Sequence, residues 1–361
     1  MSNLGHRLYS GEVSLNIVGR RKLWYGVSAV ILIVAIGALI FRGLNLGIEF
    51  RGGADFAVPN ATCSVEQARD VAEGVAGGQS IVTETGSNTL RVQTEPVTPE
   101  QSRALTEALA TSCGVNQSDI KVQLVGPTWG GEITKKALQG LAVFLILVTI
   151  FLSIYFEWRM AVAALVALIH DLVITIGIYA LTGLEVTPAT VIGLLTILGF
   201  SLYDTVVVFD KVKENTRNIA GQSMLTYDEA ANLAVNQTLV RSINTTVVAL
   251  LPVVAIIVIG AFWLGAGTLL DLAVSLGIGM AAGAYSSIFI ATPFLAQLKS
   301  HQPQMKALTA RVNARRAGGR GTPAEQEKVA VEEAASVSAV MTQVGPRQQP
   351  KKASRSKRRK S

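Results

Sequence analysis

Asp204 is the residue whose type and position most favour proton chemistry. It lies in an apolar run over residues 189–209, about five residues past the centre of that run at Gly199, or roughly 7 Å along a helix. An unpartnered charged carboxylate costs several kcal/mol in apolar surroundings, so this side chain must bind a proton or find a partner. We interpret Asp204 as a proton site. The alternative is a carboxylate that reaches the edge of the run or only anchors neighbouring helices.

Three more polar residues in the apolar runs are candidates for the same proton pathway. Arg241 opens the fifth run, whose helix would run antiparallel to the fourth, and its guanidinium can reach one turn inward to Asp204. Its alternative role is a basic anchor at a membrane surface. His170 and Asp171 lie midway along the third run, where they can relay protons or make a structural hydrogen bond between helices.

Other kinds of site lack a sequence signature. The chain has three histidines and two cysteines, and it contains no HExxH, GxxxxGK[ST] or GxSxG pattern. We therefore expect no metal site, no cofactor and no enzymatic activity.

Six apolar runs would place the polar groups inside a membrane. Half of the residues are apolar and 16% are charged, whereas a soluble domain is about a quarter charged. Each run approaches the roughly 20 residues that cross a bilayer, and lipid leaves the backbone no partners outside a helix. The first run is too long for a typical signal peptide, so we expect it to be retained. The predicted helices cover residues 23–41, 137–155, 160–181, 189–209, 243–264 and 269–298.

Basic residues flank these runs on one side of the predicted membrane. They lie in the leader over residues 1–22, in the loop after the fourth helix, and from residue 299 onward, where 15 Lys/Arg stand against 4 Asp/Glu. The excess of positive charge in short loops predicts that this side is cytoplasmic and that both termini lie there. The composition of residues 299–361 predicts a disordered basic tail.

The segment over residues 42–136 is predicted to be a separate domain on the opposite, extracytoplasmic side. Capping boxes at residues 64–67 and 98–101 predict two helices, and short alternating segments around them predict four strands. The order β-α-β-β-α-β is that of a ferredoxin-like α+β domain. In that topology Cys63 precedes the first helix and Cys113 follows the second, at the same end, so we predict a disulfide. Two unrelated buried thiols are the alternative.

Glycines mark two further places. Gly279 and Gly283 form a GxxxG pattern in the sixth run, which favours close helix packing. Four glycines join the first run to the domain, at Gly43, Gly47, Gly52 and Gly53.

Three stretches resemble the SecF members of the SecD/SecF family, within the RND superfamily. They are GLNLGIEFRGG over residues 43–53, GFSLYDTVVVFDKVKEN over residues 199–215, and NQTLVRSINTT over residues 236–246. The chain departs from the family pattern at Glu49, Arg51 and Tyr203. The resemblance implies a membrane all-α bundle of RND type with the extracytoplasmic domain between helices 1 and 2. It also implies that the glycine motif is a hinge.

The resemblance implies a function as well. It predicts a subunit of a SecDF complex in the bacterial cytoplasmic membrane that uses the proton motive force to assist translocation through SecYEG. The implied partners are SecD, the SecYEG channel, an unfolded preprotein and membrane lipid, with no specific nucleic acid. The alternatives are a proton-driven small-molecule exporter and a non-transporting assembly scaffold.

Overall fold

Six long helices make up most of the structure, a computed structural model that describes residues 14–85, 88–260 and 267–318. In chain order the helices are α1 Arg21–Phe41, α2 Ile48–Arg51, α3 Val65–Ala76, α4 Pro99–Cys113, α5 Pro127–Tyr155, α6 Trp158–Thr182, α7 Pro188–Asn215, α8 Tyr227–Ile259, α9 Gly267–Ser286, α10 Thr292–Ser300 and α11 Pro303–Gly318. Short 3₁₀ turns lie at Gln117–Asp119 and Ile219–Gly221, and a π-helical turn at Ser287–Ala291 joins α9 to α10. The strands are β1 Asn45–Leu46, β2 Gly53–Val58, β3 Ser80–Thr85, β4 Thr89–Thr94, β5 Lys121–Val125 and β6 Glu185–Val186.

Six helical segments in the described part of the chain are long and apolar enough to cross a membrane, as the sequence predicts. They are α1, α5, α6, α7, α8 and the continuous stretch from α9 to α10. Two of them begin ten or more residues before their apolar runs. α5 begins at Pro127 rather than residue 137, and α8 begins at Tyr227 rather than residue 243. The reason for α8 is a capping box between Thr226 and Glu229, which starts the helix well before its apolar part.

α6, α7 and α9 form the centre of the bundle. The main core of the bundle includes Leu168 of α6, Leu198 and Phe209 of α7, and Leu295 of α10. α9 packs closely against α7 through Gly279 and Gly283. α1 and α5 expose much larger apolar surfaces, including Ile40 and Ile154. Polar side chains on the central helices are therefore the most deeply buried.

A four-stranded antiparallel sheet with two helices lies between α1 and α5. The strand order is β3-β4-β2-β5, and β2 pairs with both β4 and β5. Capping boxes at Ser64 and Thr98 begin α3 and α4, as their sequences predict. Phe56, Leu105 and Leu109 are fully buried between the helices and the sheet.

Cys63 and Cys113 are joined by a disulfide in this domain. Their Cα atoms are 4.5 Å apart across a sequence separation of 50 residues. Cys63 comes just before α3 and Cys113 ends α4, so the bridge fastens together one end of the two helices. Thr62 adds to this contact, since its backbone N–H and its hydroxyl both donate to the carbonyl of Cys113.

A short parallel pairing connects the domain to the helix bundle. Asn45 and Leu46 of β1 lie opposite Glu185 and Val186 of β6, which links α6 to α7. Arg91 of β4 reinforces this junction, because its Nη1 donates to Glu185 at 2.6 Å while its Nε donates to Asp55 at 2.5 Å. Burial raises the pKa of the Asp55 carboxyl, against the opposing effect of the neighbouring Arg91 charge.

The prediction that the chain is disordered from residue 299 onward is wrong for residues 303–318. These residues form α11, in which Leu308 and Val312 are fully buried and Met305 is nearly so. α11 packs against the connection between α7 and α8, where Arg311 donates to the carbonyl of Ala220 at 2.6 Å. Three apolar side chains at helical spacing were too few to stand out in a basic segment. The predicted positions in residues 1–13, 261–266 and 319–361 lie outside the described residues.

Removing the disulfide should loosen the domain without unfolding the bundle. Replacing both Cys63 and Cys113 by Ser should lower the free energy of unfolding of the domain by about 4 kcal/mol. In the chain-entropy model the bridge restricts the unfolded chain by this amount for a loop of this length, and the substitution removes the restriction. Hydrogen exchange of the β2–β5 amides in the full chain would measure this. Reduction of the unaltered chain is the control and should give the same acceleration, whereas unchanged exchange in both would contradict the expectation.

Two truncations should separate α11 from the segment beyond it. Removal of residues 303–361 should destabilise the purified protein, since it uncovers the surface that Leu308 and Val312 bury. Removal of residues 319–361 should leave the melting temperature unchanged. The single variant Leu308→Ala should cost about 2–5 kcal/mol, as buried leucines do. Equal melting temperatures for the two truncations would show that α11 contributes no stability.

Candidate functional site

Asp204 is buried in the middle of the bundle, where its partners are hydroxyl groups. Its side chain is 4% exposed. Ser242 of α8 donates to Oδ1 at 2.6 Å, and Ser287 of the π-helical turn donates to Oδ2. Both serines are themselves almost fully buried. Three different helical segments thus meet at this carboxylate.

Asp171 forms a second centre of the same kind on α6. It is 1% exposed. Its Oδ2 accepts from Ser201 of α7 at 2.5 Å and from Ser286 of α9 at 2.8 Å. Its Oδ1 lies 3.3 Å from Nδ1 of His170. Asp171 therefore draws α7 and α9 toward α6, as Asp204 draws α8 and the π-helical turn toward α7.

A line of polar contacts continues from Asp171 to α1. Nε2 of His170 lies 3.1 Å from the hydroxyl of Ser28, and that hydroxyl lies 3.1 Å from the hydroxyl of Tyr285. His170 and Ser28 are each 5% exposed. The two predicted residues His170 and Asp171 thus belong to one hydrogen-bonded network with Ser28 of α1 and with Tyr285 and Ser286 of α9. Ser287, the next residue, bonds to Asp204 instead.

Glycines allow the helices to approach closely enough for these short contacts. A Cβ atom added at Gly283 of α9 would lie 2.8 Å from Cβ of Ser201, and one added at Gly279 would lie 2.2 Å from Cδ1 of Ile197. Both distances are shorter than side chains tolerate, so α9 can lie against α7 only with glycine here. The contact places Ser201 and Ser286 on the same oxygen of Asp171.

The electrostatics of both acids depend on hydroxyl dipoles. Among the described residues, no Lys or Arg forms an ion pair with Asp171 or Asp204. Hydrogen bonds to a charged group contribute about 1.5–3 kcal/mol each, whereas burying an ion costs several kcal/mol even after relaxation. A serine hydroxyl both donates and accepts, so it can also serve a protonated carboxyl.

Arg241 lies away from Asp204, in contrast to the predicted contact. Its side chain is exposed at the rim of a groove of about 550 Å³ that Asp210 and Glu214 also line. The α8 residue that reaches Asp204 is instead its neighbour, Ser242. Successive helix positions point about 100° apart, so only one of the two can face α7 at this level. The ion pair between Arg241 and Asp204 is thus not formed in this structure.

The groove beside Arg241 approaches the buried acid from one end of the bundle. Val207, on its wall, is three residues after Asp204, and Thr238 is four residues before Ser242. Each is therefore about one helical turn from the hydrogen-bonded pair. The wall of the groove is polar near Gln237 and Thr238.

The four glycines of the junction occupy positions that other residues would strain. Gly43, Gly52 and Gly53 have positive φ angles, and a Cβ atom at Gly53 would lie 2.4 Å from the carbonyl of Thr94. A Cβ atom at Gly47 would lie 2.6 Å from Glu49 and 2.8 Å from Glu185. The motif therefore makes a tight connection between α1, β2 and β6.

Six members of the network were missed from the sequence, because serine is common in loops and helices alike. They are Ser28, Ser201, Ser242, Tyr285, Ser286 and Ser287. Two of them had a usable signal, since Ser201 and Ser242 lie within the same motif stretches as Asp204 and Arg241. The run of three polar residues over 285–287 inside an apolar helix was a second signal.

Comparison with known families and proteins agrees with this geometry. Residues 83–301 match the family described as protein export membrane protein SecD/SecF, C-terminal, and residues 37–54 match the SecD/SecF GG motif. Protein translocase subunit SecF of Streptomyces coelicolor is 54% identical over 97% of this chain and 95% of its own length. Protein translocase subunit SecF of Mycobacterium tuberculosis is 45% identical over 90% of this chain and 77% of its own length.

A solved structure shows the same architecture. The crystal structure of SecDF, a translocon-associated membrane protein from Thermus thermophilus, superposes with a TM-score of 0.71 at 28% identity. The match covers 80% of this chain and 39% of that one, so the chain spans about two fifths of the fused protein. The relatives and the six apolar helices indicate a multi-pass membrane protein with a role in protein translocation. The chain belongs to the SecD/SecF family of protein export membrane proteins.

Proposed function

We propose that this chain is the SecF-type half of a complex that uses the proton motive force to assist SecYEG in moving unfolded preproteins across the bacterial cytoplasmic membrane. The observation that carries the proposal is the pair of buried acids, Asp171 and Asp204, whose hydrogen bonds come from hydroxyls and a histidine. Acids inside a membrane-spanning bundle are costly, and proton transfer is a function that requires them.

The proposed proton pathway has two arms that meet at α9. One arm runs from Ser28 through His170 to Asp171, and the other joins Asp204 to the groove beside Arg241. Arg241 would act there by its charge, which faces Asp210 and Glu214 across the groove.

The orientation that we propose places the groove in the cytoplasm. Basic residues gather at that end of the bundle, where Arg21 pairs with Asp228 at 3.1 Å and Lys299 pairs with Glu157. The disulfide-bonded domain joins the bundle at the opposite end, through β1 and β6. A disulfide in the oxidising exterior and basic ends in the cytoplasm agree with one another.

The domain is proposed to be of the ferredoxin-like type and to move during transport. Its βαββαβ order of elements and its antiparallel strand order support the assignment. The glycine motif at Gly43–Gly53 is the proposed hinge, and the contact of Arg91 with Glu185 would hold one position of the domain. SecD is the proposed partner, because SecDF of Thermus thermophilus joins both parts in one chain.

One proton supplies enough free energy for such a movement. A unit charge that crosses a potential of about 100 mV releases about 2.3 kcal/mol. At about 1.4 kcal/mol per factor of ten, this shifts a two-state equilibrium about fiftyfold. A domain with two positions of similar energy would thus be driven almost fully to one of them.

Asp204→Asn should abolish the stimulation of export by a proton gradient, because the amide keeps the size of the side chain and cannot carry a proton. Export into membrane vesicles that contain the complete complex should fall to the level measured without a gradient. Asp70→Asn, at an exposed position of α3 outside the proposed pathway, is the control and should export normally. Full stimulation of Asp204→Asn would exclude the proton site and leave an assembly scaffold as the function.

Arg241→Lys should export better than Arg241→Ala, because lysine keeps the positive charge in the groove and loses only the planar guanidinium. The same vesicle assay measures both, with the pH varied on the cytoplasmic side. Wild-type export by both variants would show that Arg241 is only a surface anchor.

A further inference from the structure

Ser286 and Ser287 are neighbours in the chain, yet they hydrogen-bond to different acids. Ser286 donates to Asp171 of α6 at 2.8 Å, and Ser287 donates to Asp204 of α7. Both serines are fully buried. The peptide unit that joins Ser286 to Ser287 therefore connects two carboxylates that lie on separate helices, α6 and α7.

Each of these two hydroxyls also has a second acceptor within reach. Ser286 Oγ lies 3.2 Å from the carbonyl of Gly283, and Ser287 Oγ lies 3.3 Å from the carbonyl of Ala284. A serine hydroxyl has a single proton, which it can give to only one acceptor at a time. Toward a charged carboxylate it donates. When the carboxyl is protonated, the carboxyl O–H donates to Oγ and the serine O–H turns to the carbonyl three residues earlier in its own helix.

These contacts satisfy both protonation states of each acid. In the charged state the serine proton points to the carboxylate, and in the neutral state every donor still has an acceptor. A buried hydroxyl without an acceptor would cost about 1–3 kcal/mol. The second acceptor removes this cost from the state in which the carboxyl is protonated. The only covalent bond that forms or breaks is the carboxyl O–H bond, whose proton is exchanged with the solvent, while each serine keeps its own proton and only changes its acceptor.

The backbone at this point is suited to transmit the change. The π-helical turn begins at Ser287, and π-turns inside α-helices often occur at functional sites. Thr292 Oγ1 donates to the carbonyl of Ser287 at 3.3 Å, within the turn. Gly283 holds the preceding turn of α9 against Ser201, which is itself a partner of Asp171.

We propose that Ser286 and Ser287 are positioning residues that form a hydroxyl switch, by which the protonation of Asp171 changes the proton affinity of Asp204. This inference rests on the proposed role of Asp204 as a proton-carrying acid. When one serine reorients, the short turn between the two shifts the hydrogen bond of the other. The two acids then bind protons as a coupled pair rather than as independent sites.

Infrared titration of the full chain in lipid nanodiscs tests the switch directly. The carbonyl band of protonated Asp204 is identified as the band that Asp204→Asn removes, and its midpoint is followed as the pH is varied. Asp171→Asn should shift this midpoint by about one pH unit or more, which is the scale of a coupled pair. An identical midpoint in the chain and in Asp171→Asn overturns the proposal.

The serines are then tested with a matched control. In the background Ser286→Ala with Ser287→Ala, the additional change Asp171→Asn should no longer shift the Asp204 midpoint. Ser275→Ala removes another fully buried serine from α9, whose hydroxyl bonds to the carbonyl of Leu272, and should leave the coupling intact. A coupling that survives the loss of both serines overturns their role. If the double variant does not fold, Ser286→Ala alone should reduce the shift, and an unchanged shift counts against the switch.

The outcomes for the switch and for the proposed function are separable. Loss of gradient-stimulated export in Asp204→Asn without any coupling of midpoints would leave the proposed function in place and remove the switch. Coupled midpoints in a chain whose Asp204→Asn variant exports fully would support the switch as a titrating pair and remove the proposed function.

Discussion

The cost of burying two carboxylates constrains the centre of this bundle. Asp171 and Asp204 are almost fully withdrawn from their surroundings, and a charge in that position loses much of its solvation. Two hydroxyl bonds to a charged carboxylate return about 3–6 kcal/mol, which offsets part of the loss. A guanidinium partner would stabilise the charged state far more strongly. Both carboxylates therefore depend on hydroxyl groups that neighbouring helices must bring within reach.

The packing of the helices follows from this requirement. Serine is a short side chain, so its hydroxyl reaches an acid on another helix only when the two backbones come close. Gly279 and Gly283 provide that approach between α9 and α7, and Gly177 of α6 provides it against Ala35 of α1. The contact between Gly177 and Ala35 joins α1 and α6, the same two helices that carry Ser28 and His170. Small residues and the polar network are thus two parts of one arrangement.

The same bundle is joined to its domain by few but specific contacts. The β1–β6 pairing uses backbone hydrogen bonds. In addition, the side chains of Arg91 and Gln93 in the sheet both donate to Glu185 of β6, in the connection between α6 and α7. Because Glu185 lies between α6 and α7, the two helices that carry the acids also carry the attachment of the domain. The connection between α6 and α7 is therefore both the link between the two acid-bearing helices and the contact surface for the domain.

The sequence determined the elements and their chemistry, and the tertiary structure decided which groups meet. Apolar length and capping boxes are local properties, so the six long helices could be predicted, and the two domain helices could be predicted together with their first residues. The aspartates could be predicted as well, since a charged residue in an apolar run is conspicuous. The partner of Asp204 could not, because Arg241 and Ser242 are adjacent and only the rotation of α8 decides which one faces α7. The helical structure of α11 could not be predicted either. Its three buried apolar side chains stabilise it only by packing on a surface that forms when the rest of the bundle folds.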